Sequence, residues 1–295
     1  MPGKYFKLIR PKQWIKNFFV FAPILFAGQL TNKELLFKNI IAFIAFCFIS
    51  SSVYIINDII DVESDRIHKK KRYRPIASGD IKIKNAIFLF CVTFVLAGAV
   101  AYFTNLYFII VIAVYFIINL LYSFKVKHIV ILDVFFISLG FMLRVAGGAF
   151  AIDVTFSSWM ILTTIFLSLF LGISKRRAEL ATAEEDEAEK QRKVLNHYIV
   201  EFSDQMNTIA ATGTIICYAL YTVSQKAVST FHTENLIYTT PFVIYGIFRY
   251  LYLLHRKNLG ESPTMILMKD IPLIINIIIW FIASVLIIYK PKLLP

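Results

Sequence analysis

Hydrophobic residues in this chain gather into nine long runs separated by polar connections. The runs lie at roughly 17–30, 39–57, 85–103, 105–122, 129–150, 157–173, 207–223, 238–254 and 271–289. Each approaches the ~20 mostly apolar residues an α-helix needs to cross the hydrocarbon of a bilayer. A helix satisfies its backbone polar groups internally, so a series of such runs reads as an all-α polytopic membrane protein. Pro23 stands inside the first run and no clear small-x-small cleavage site follows. That run is read as a retained first helix, not a signal peptide.

Composition agrees. Of 295 residues, 58% are hydrophobic and 28 are Phe, with a mean hydropathy of +0.68. Soluble domains average about 45–50% apolar. Soluble, disordered and disulfide-rich classes are excluded. Cys47, Cys91 and Cys217 all lie in apolar runs, without a CxxC pair, and carry no redox or zinc signal.

Charge supplies orientation. The chain has 31 Lys and Arg against 19 Asp and Glu, a net +12. With the N-terminus inside, 24 of the 31 fall on inner segments and five on outer ones, while Arg144 and Arg249 lie within runs. Basic residues concentrate on the cytoplasmic side of membrane proteins, so this bias predicts a cytoplasmic N-terminus and supports nine spans. Four inner loops then form a cytoplasmic cap at about 58–84, 123–128, 174–206 and 255–270. The long loops 58–84 and 174–206 are candidate halves of one site. No linker divides the chain, so residues 1–295 are expected to form a single domain.

Residues 57–79 read N-D-I-I-D-V-E-S-D-R-I-H-K-K-K-R-Y-R-P-I-A-S-G. Asp58, Asp61, Asp65 and His68 are spaced to line one helical face, with Asn57 at its edge. Acids at the end of a membrane helix are expensive and do little for orientation, so a functional role is expected. Three stacked carboxylates call for a cation. Oxygen ligands favour Mg²⁺, which binds through one or two carboxylates plus substrate phosphates. Arg66, Lys69, Lys70, Lys71, Arg72 and Arg74 follow at once. Acids next to bases suit a metal-bound diphosphate, since basic groups take the oxygens the metal leaves.

With N-D-x-x-D-x-x-x-D after the second helix (Asn57, Asp58, Asp61, Asp65), the chain resembles the UbiA superfamily of intramembrane prenyltransferases over essentially its whole length. The resemblance implies a helical bundle around a central cavity, a capped Mg²⁺–diphosphate site with Asp58, Asp61 and Asp65 as metal-binding catalytic residues, and a lipid-side opening for an isoprenoid. Typical members carry a second D-x-x-x-D after the sixth helix. Here S-K-R-R-A-E stands instead, with Lys175, Arg176 and Glu179. A basic pair in place of a metal site suggests direct anion binding by side chains. Together with the opening R-P-K-Q-W-I-K-N at Arg10–Asn17, this resembles the branch that transfers phosphoribose from phosphoribosyl diphosphate (PRPP) to a polyprenyl, decaprenyl-type phosphate. Diphosphate would be released, in cell-envelope biosynthesis at the inner or plasma membrane. One diphosphate needs one metal–carboxylate cluster, while the extra phosphates need extra cations. Lys16, Arg66, Lys71, Arg74, Lys127, Lys175 and Arg176 are available for them. Tyr122 and Lys127 match a Tyr and Lys that the family directs at the diphosphate; Lys125 reads as interfacial charge. The partners implied are PRPP, a polyprenyl phosphate and membrane lipids, and no nucleic acid.

Asp133 and Arg144 share a side of the fifth helix, too far apart to pair. A loop cation suits Asp133. Arg144 fits an ion pair or a substrate role equally, and Arg249 fits a structural one. Gly147 and Gly148 permit close helix packing. Acids 184–189 read as a solvated face. The alternative function is prenyl transfer from a prenyl diphosphate to an aromatic or other acceptor, against which the missing second motif counts. A transporter is disfavoured because the charges cluster at one face, not at mid-membrane.

Overall fold

The computed structural model describes residues 2–68, 70–155, 157–182, 199–257 and 269–293. The acids at 184–189, much of the 174–206 loop and most of the 255–270 loop lie outside them. Twelve α-helices are described. They are α1 (Pro2–Leu8), α2 (Ala22–Phe26), α3 (Lys33–Ile60), α4 (Val62–Ile67), α5 (Ile83–Tyr102), α6 (Leu106–Phe124), α7 (Leu132–Ala151), α8 (Ser158–Thr182), α9 (Val200–Thr222), α10 (Gln225–Phe231), α11 (Thr240–Lys257) and α12 (Ile271–Leu293).

Local chemistry sets the boundaries. Asn32 caps α3 by accepting from the backbone N–H groups of Glu34 and Leu35, and Asn105 caps α6 through Phe108 N–H. Gly28 and Gly79 hold the left-handed backbone of the turns before α3 and α5. The first apolar run departs from expectation. Pro11–Phe21 is a 3₁₀ helix that continues into α2. Arg10, immediately before Pro11, adopts a left-handed conformation at φ 53°, which costs a non-glycine residue about 1–2 kcal/mol. Three residues per turn stack Pro11, Trp14, Asn17 and Val20 in one row.

Seven described helices are long and apolar enough to cross a membrane, or eight if α9 and α10, bent by 50°, form one span. The first run is not among them. Large apolar side chains such as Phe88, Ile110 and Ile278 stay exposed on these helices, as lipid contact demands.

The described chain groups into two compact units, each assembled from separate pieces of sequence. One comprises residues 1–24, 32–127 and 143–154; the other comprises 25–31, 128–142 and 155–295. In the first unit Leu8, Ile55, Val62, Ile76, Ile81 and Ala86 form a core that ties α1 and the 74–81 turn to α3, α4 and α5. The two glycines of α7 admit close neighbours. A Cβ on Gly148 would lie 2.0 Å from the carbonyl oxygen of Val20, and one on Gly147 would strike the Phe46 ring. In the second unit Val134, Phe170, Ile173, Ala210, Leu253 and Leu273 join α7, α8, α9, α11 and α12.

Candidate active site

The carboxylates stand where α3 passes into α4. Backbone bonds from Asp61 N–H to the Asn57 carbonyl and from Asp65 N–H to the Asp61 carbonyl carry the helical repeat across the junction. Asp58, Asp61 and Asp65 therefore keep their common face. The repeat ends at His68, whose backbone is extended, so His68 leaves the stripe. Its Nδ1 accepts from the N–H groups of Lys70 and Lys71. Burial, followed by the charge of Lys71, holds its pKa below the ordinary value. A neutral imidazole is what two backbone donors at one nitrogen require.

Each carboxylate is met by a cation from elsewhere in the first unit. Asp58 Oδ1 accepts from Arg10 and, at 3.1 Å, from Arg74. The same Arg74 nitrogen donates to Asp65 Oδ2 at 2.6 Å. Lys127 Nζ donates to Asp61 Oδ1 at 2.6 Å. Ser123, in the last turn of α6, donates to Asn57 Oδ1. Asp58 is 2% exposed, and its Oδ2 is buried without a hydrogen-bond partner. A buried, unsatisfied carboxylate oxygen is costly and marks a place for a ligand.

The sequence-predicted residues that meet here are Asn57, Asp58, Asp61, Asp65, Arg74 and Lys127. Arg10 was read only as part of the N-terminal pattern and is the cation missed. Arg66 turns instead to Glu63, at 2.9 Å on the exposed side of α4. Lys71 and Tyr122 are half-buried, and Lys125 is exposed. Lys16 sits on the 3₁₀ helix below Arg10.

In the second unit, Arg176, expected to meet an anion directly, is engaged by acids of the protein itself. Its side chain is 0% exposed; Nε donates to Asp133 at 2.6 Å and NH1 donates to Glu179. The cation sought for Asp133 is thus Arg176. The guanidinium is held by these two carboxylates, whereas Lys175 keeps 38% of its side chain exposed. Arg249 makes a two-bond pair with Asp270 at 3.0 and 2.9 Å, the structural role expected of it.

The donor set suits a hard divalent ion, since it is all oxygen and includes the free oxygen of Asp58. No three His, Cys, Asp or Glu among the described residues converge into a metal cage.

Residues 18–269 match the UbiA prenyltransferase family. The chain belongs to this family. Within it, the decaprenyl-phosphate phosphoribosyltransferases of Mycolicibacterium smegmatis and Corynebacterium glutamicum are 35% and 34% identical to the chain over 285 and 289 residues. These alignments cover 93% and 96% of this chain and 89% and 86% of those proteins. A UbiA homolog from Archaeoglobus fulgidus, solved bound to DMAPP and Mg²⁺, superposes with a TM-score of 0.72 at 20% identity. It covers 97% of this chain and 99% of that one. The apolar helices and UbiA membership together make this a multi-pass membrane protein.

Proposed function

We propose that the protein transfers 5-phosphoribose from PRPP to a polyprenyl phosphate and releases diphosphate. The relatives named for this reaction support it over most of the chain. The observation that carries it on the residues is the set of three carboxylates on one face, each met by a cation, with one carboxylate oxygen left unsatisfied.

Asp58, Asp61 and Asp65 would hold the divalent ion, taken to be Mg²⁺, which when bound supplies charge neutralisation to the leaving diphosphate. Arg10, Arg74 and Lys127 are placed to exchange carboxylate for phosphate oxygens as the donor enters. Charge-assisted contacts of this kind are the strong ones, and they act where negative charge develops as the glycosidic bond breaks. The acceptor phosphate is already an anion at neutral pH, so no strong general base is required. What it requires is a fixed position in line with the ribosyl carbon. Arg176, Asp133 and Glu179 serve as positioning residues that hold α8 to α7.

In the same reading nine segments span the cell membrane as one domain, with the N-terminus and the site on the cytoplasmic side. The segment 11–26 joins 11 residues of 3₁₀ helix to five of α-helix. At about 2.0 and 1.5 Å per residue it reaches about 30 Å, enough to cross the hydrocarbon although its residues are few.

The test supplies membranes containing the protein with polyprenyl phosphate, PRPP and Mg²⁺. A phosphoribosylated lipid is expected. Consumption of a prenyl diphosphate with an aromatic acceptor, and no phosphoribosylated lipid, would overturn the reading in favour of prenyl transfer.

A further inference from the structure

Of the three cations that meet the carboxylates, Arg10 has a second seat. Its guanidinium lies over the Tyr54 ring, 5.1 Å from the centroid, while NH2 donates to Asp58 Oδ1. Tyr54 precedes Asp58 by four residues on α3, so ring and carboxylate share one face about 6 Å apart along the axis. Tyr54 is half-buried and Asp58 is buried. The arginine thus bridges an aromatic face and an acid.

The backbone that delivers Arg10 is held on both sides. Arg10 itself is left-handed, at φ 53° and ψ 56°. A non-glycine residue keeps that conformation only where its surroundings impose it. Before it, the Ile9 carbonyl meets Ser51 Oγ at 2.8 Å. After it, the Arg10 carbonyl accepts from Gln13 N–H at 2.9 Å, Trp14 Nε1 donates to the same Ser51 Oγ at 3.0 Å, and Asn17 Oδ1 accepts from Arg144 Nε at 2.8 Å. With the main chain fixed, the long side chain is the part of Arg10 left to move.

The ion pairs differ in what their opening leaves behind. One nitrogen of Arg74 serves both Asp58 and Asp65, at 3.1 and 2.6 Å, so its departure strips two acids. Arg10 can leave Asp58 with neither group stranded, because Asp58 keeps Arg74 and the guanidinium keeps the Tyr54 ring. A cation over an aromatic face is attracted by the ring quadrupole, with no fixed hydrogen-bond direction, so the fork can turn while it stays seated. Its paired N–H donors match two oxygens of a phosphate. We propose that Tyr54 is a positioning residue for Arg10, its ring holding the guanidinium while the fork turns from Asp58 to the oxygens of the leaving diphosphate. The identity of that anion rests on the phosphoribosyl-transfer reading.

The test uses the purified full-length chain in detergent with Mg²⁺, and calorimetry measures binding of inorganic diphosphate. Wild type is expected to bind it, and Arg10→Met to bind it at least tenfold more weakly. Tyr54→Leu should weaken binding by about three- to tenfold, the range of a partly exposed cation–π contact. Tyr54→Phe keeps the ring and should bind within twofold of wild type. In the Arg10→Met background Tyr54→Leu should add nothing, because the ring then has no cation to hold. Tyr54→Met carries the same comparison if the leucine variant does not fold. A ring that merely packs against its neighbours would cost the same in both backgrounds, so equal losses overturn the proposal. A loss in Tyr54→Phe as large as in Tyr54→Leu, or a wild type that binds no diphosphate, also overturns it. Coupled losses of diphosphate binding, with no phosphoribosylated lipid formed in the transfer assay, would sink the transfer reading and leave the seat standing. Product formation with uncoupled losses would do the reverse.

Discussion

Arg176 offers a sharp test because two roles for it predict opposite phenotypes. Its side chain and that of Asp133 are both 0% exposed and 2.6 Å apart, and Glu179 takes a second guanidinium nitrogen. Arg176→Met removes the cation and breaks the buried pair with Asp133. Breaking one side of a buried pair costs about 3–5 kcal/mol. Glu179, 23% exposed, relaxes toward water and adds little. Replacing both partners by apolar residues of similar size is often nearly neutral. The double variant Arg176→Met with Asp133→Leu should therefore recover most of the loss, with a coupling energy of about 1–3 kcal/mol in a double-mutant cycle. The assay is equilibrium unfolding in mixed detergent alongside transfer kinetics at a temperature where every variant is folded. A positioning role predicts a marginal fold, a lowered kcat and a near-constant KM. If Arg176→Met keeps wild-type stability while KM for a phosphate-bearing substrate rises tenfold, the guanidinium contacts substrate and the argument from burial is refuted.

Other tests bear on separate links. Asp61→Asn should abolish transfer yet leave a folded protein, because Asp61 is 30% exposed and faces one lysine, whereas removing Asp58 would take the carboxylate from Arg10 and leave Arg74 with Asp65 alone; near-normal turnover, or turnover in excess chelator, would defeat the metal reading. Gly148→Ala should destabilise the fold by about 1–3 kcal/mol or more, because its Cβ meets backbone at 2.0 Å. Gly172→Ala, where the nearest atom is at 3.7 Å, should be neutral or stabilising by up to about 1 kcal/mol; equal midpoints for the two would discredit the close approach of Val20 to α7. A cysteine at exposed Ser78 should resist labelling from outside intact cells, and labelling there would reverse the proposed orientation.

Much of the fold was legible because lipid imposes one rule on every span. Long apolar runs are nearly sufficient to locate α3, α5, α6, α7, α8, α11 and α12. The helix type and start of the first run were not legible, for a local reason: Arg10 and Pro11 start a 3₁₀ helix well before the apolar residues begin, and no hydropathy pattern distinguishes a three-residue turn from a 3.6-residue one. The acidic face was readable because Asp58, Asp61 and Asp65 follow helical spacing on one element. Their cations were only partly readable. Lys127 and Arg74 could be nominated, but Arg10 looked like one more positive charge setting orientation, and only the folded chain brings it to Asp58, 48 residues away. The pairing of Arg176 with Asp133 joins residues 43 apart in sequence. Spacing on a single helix carries no information about such a partner, so an anion-binding role and a buried ion pair read alike.

The three-residue turn of the first segment also makes it a ruler. An α-helix lets its stripes drift around the axis, whereas a 3₁₀ helix keeps straight rows. Trp14, Asn17 and Val20 form the row sealed against protein, Lys12, Ile15 and Phe18 form a more open row, and Gln13, Lys16 and Phe19 form a half-buried one. Inserting one residue ahead of Trp14 would rotate every row into its neighbour's place. Asn17 would leave Arg144, Val20 would leave the gap at Gly148, and a lysine would be turned out of register, all from a change that alters no side chain. Insertions of one or two residues between 11 and 20 should therefore be far more damaging than any single substitution there.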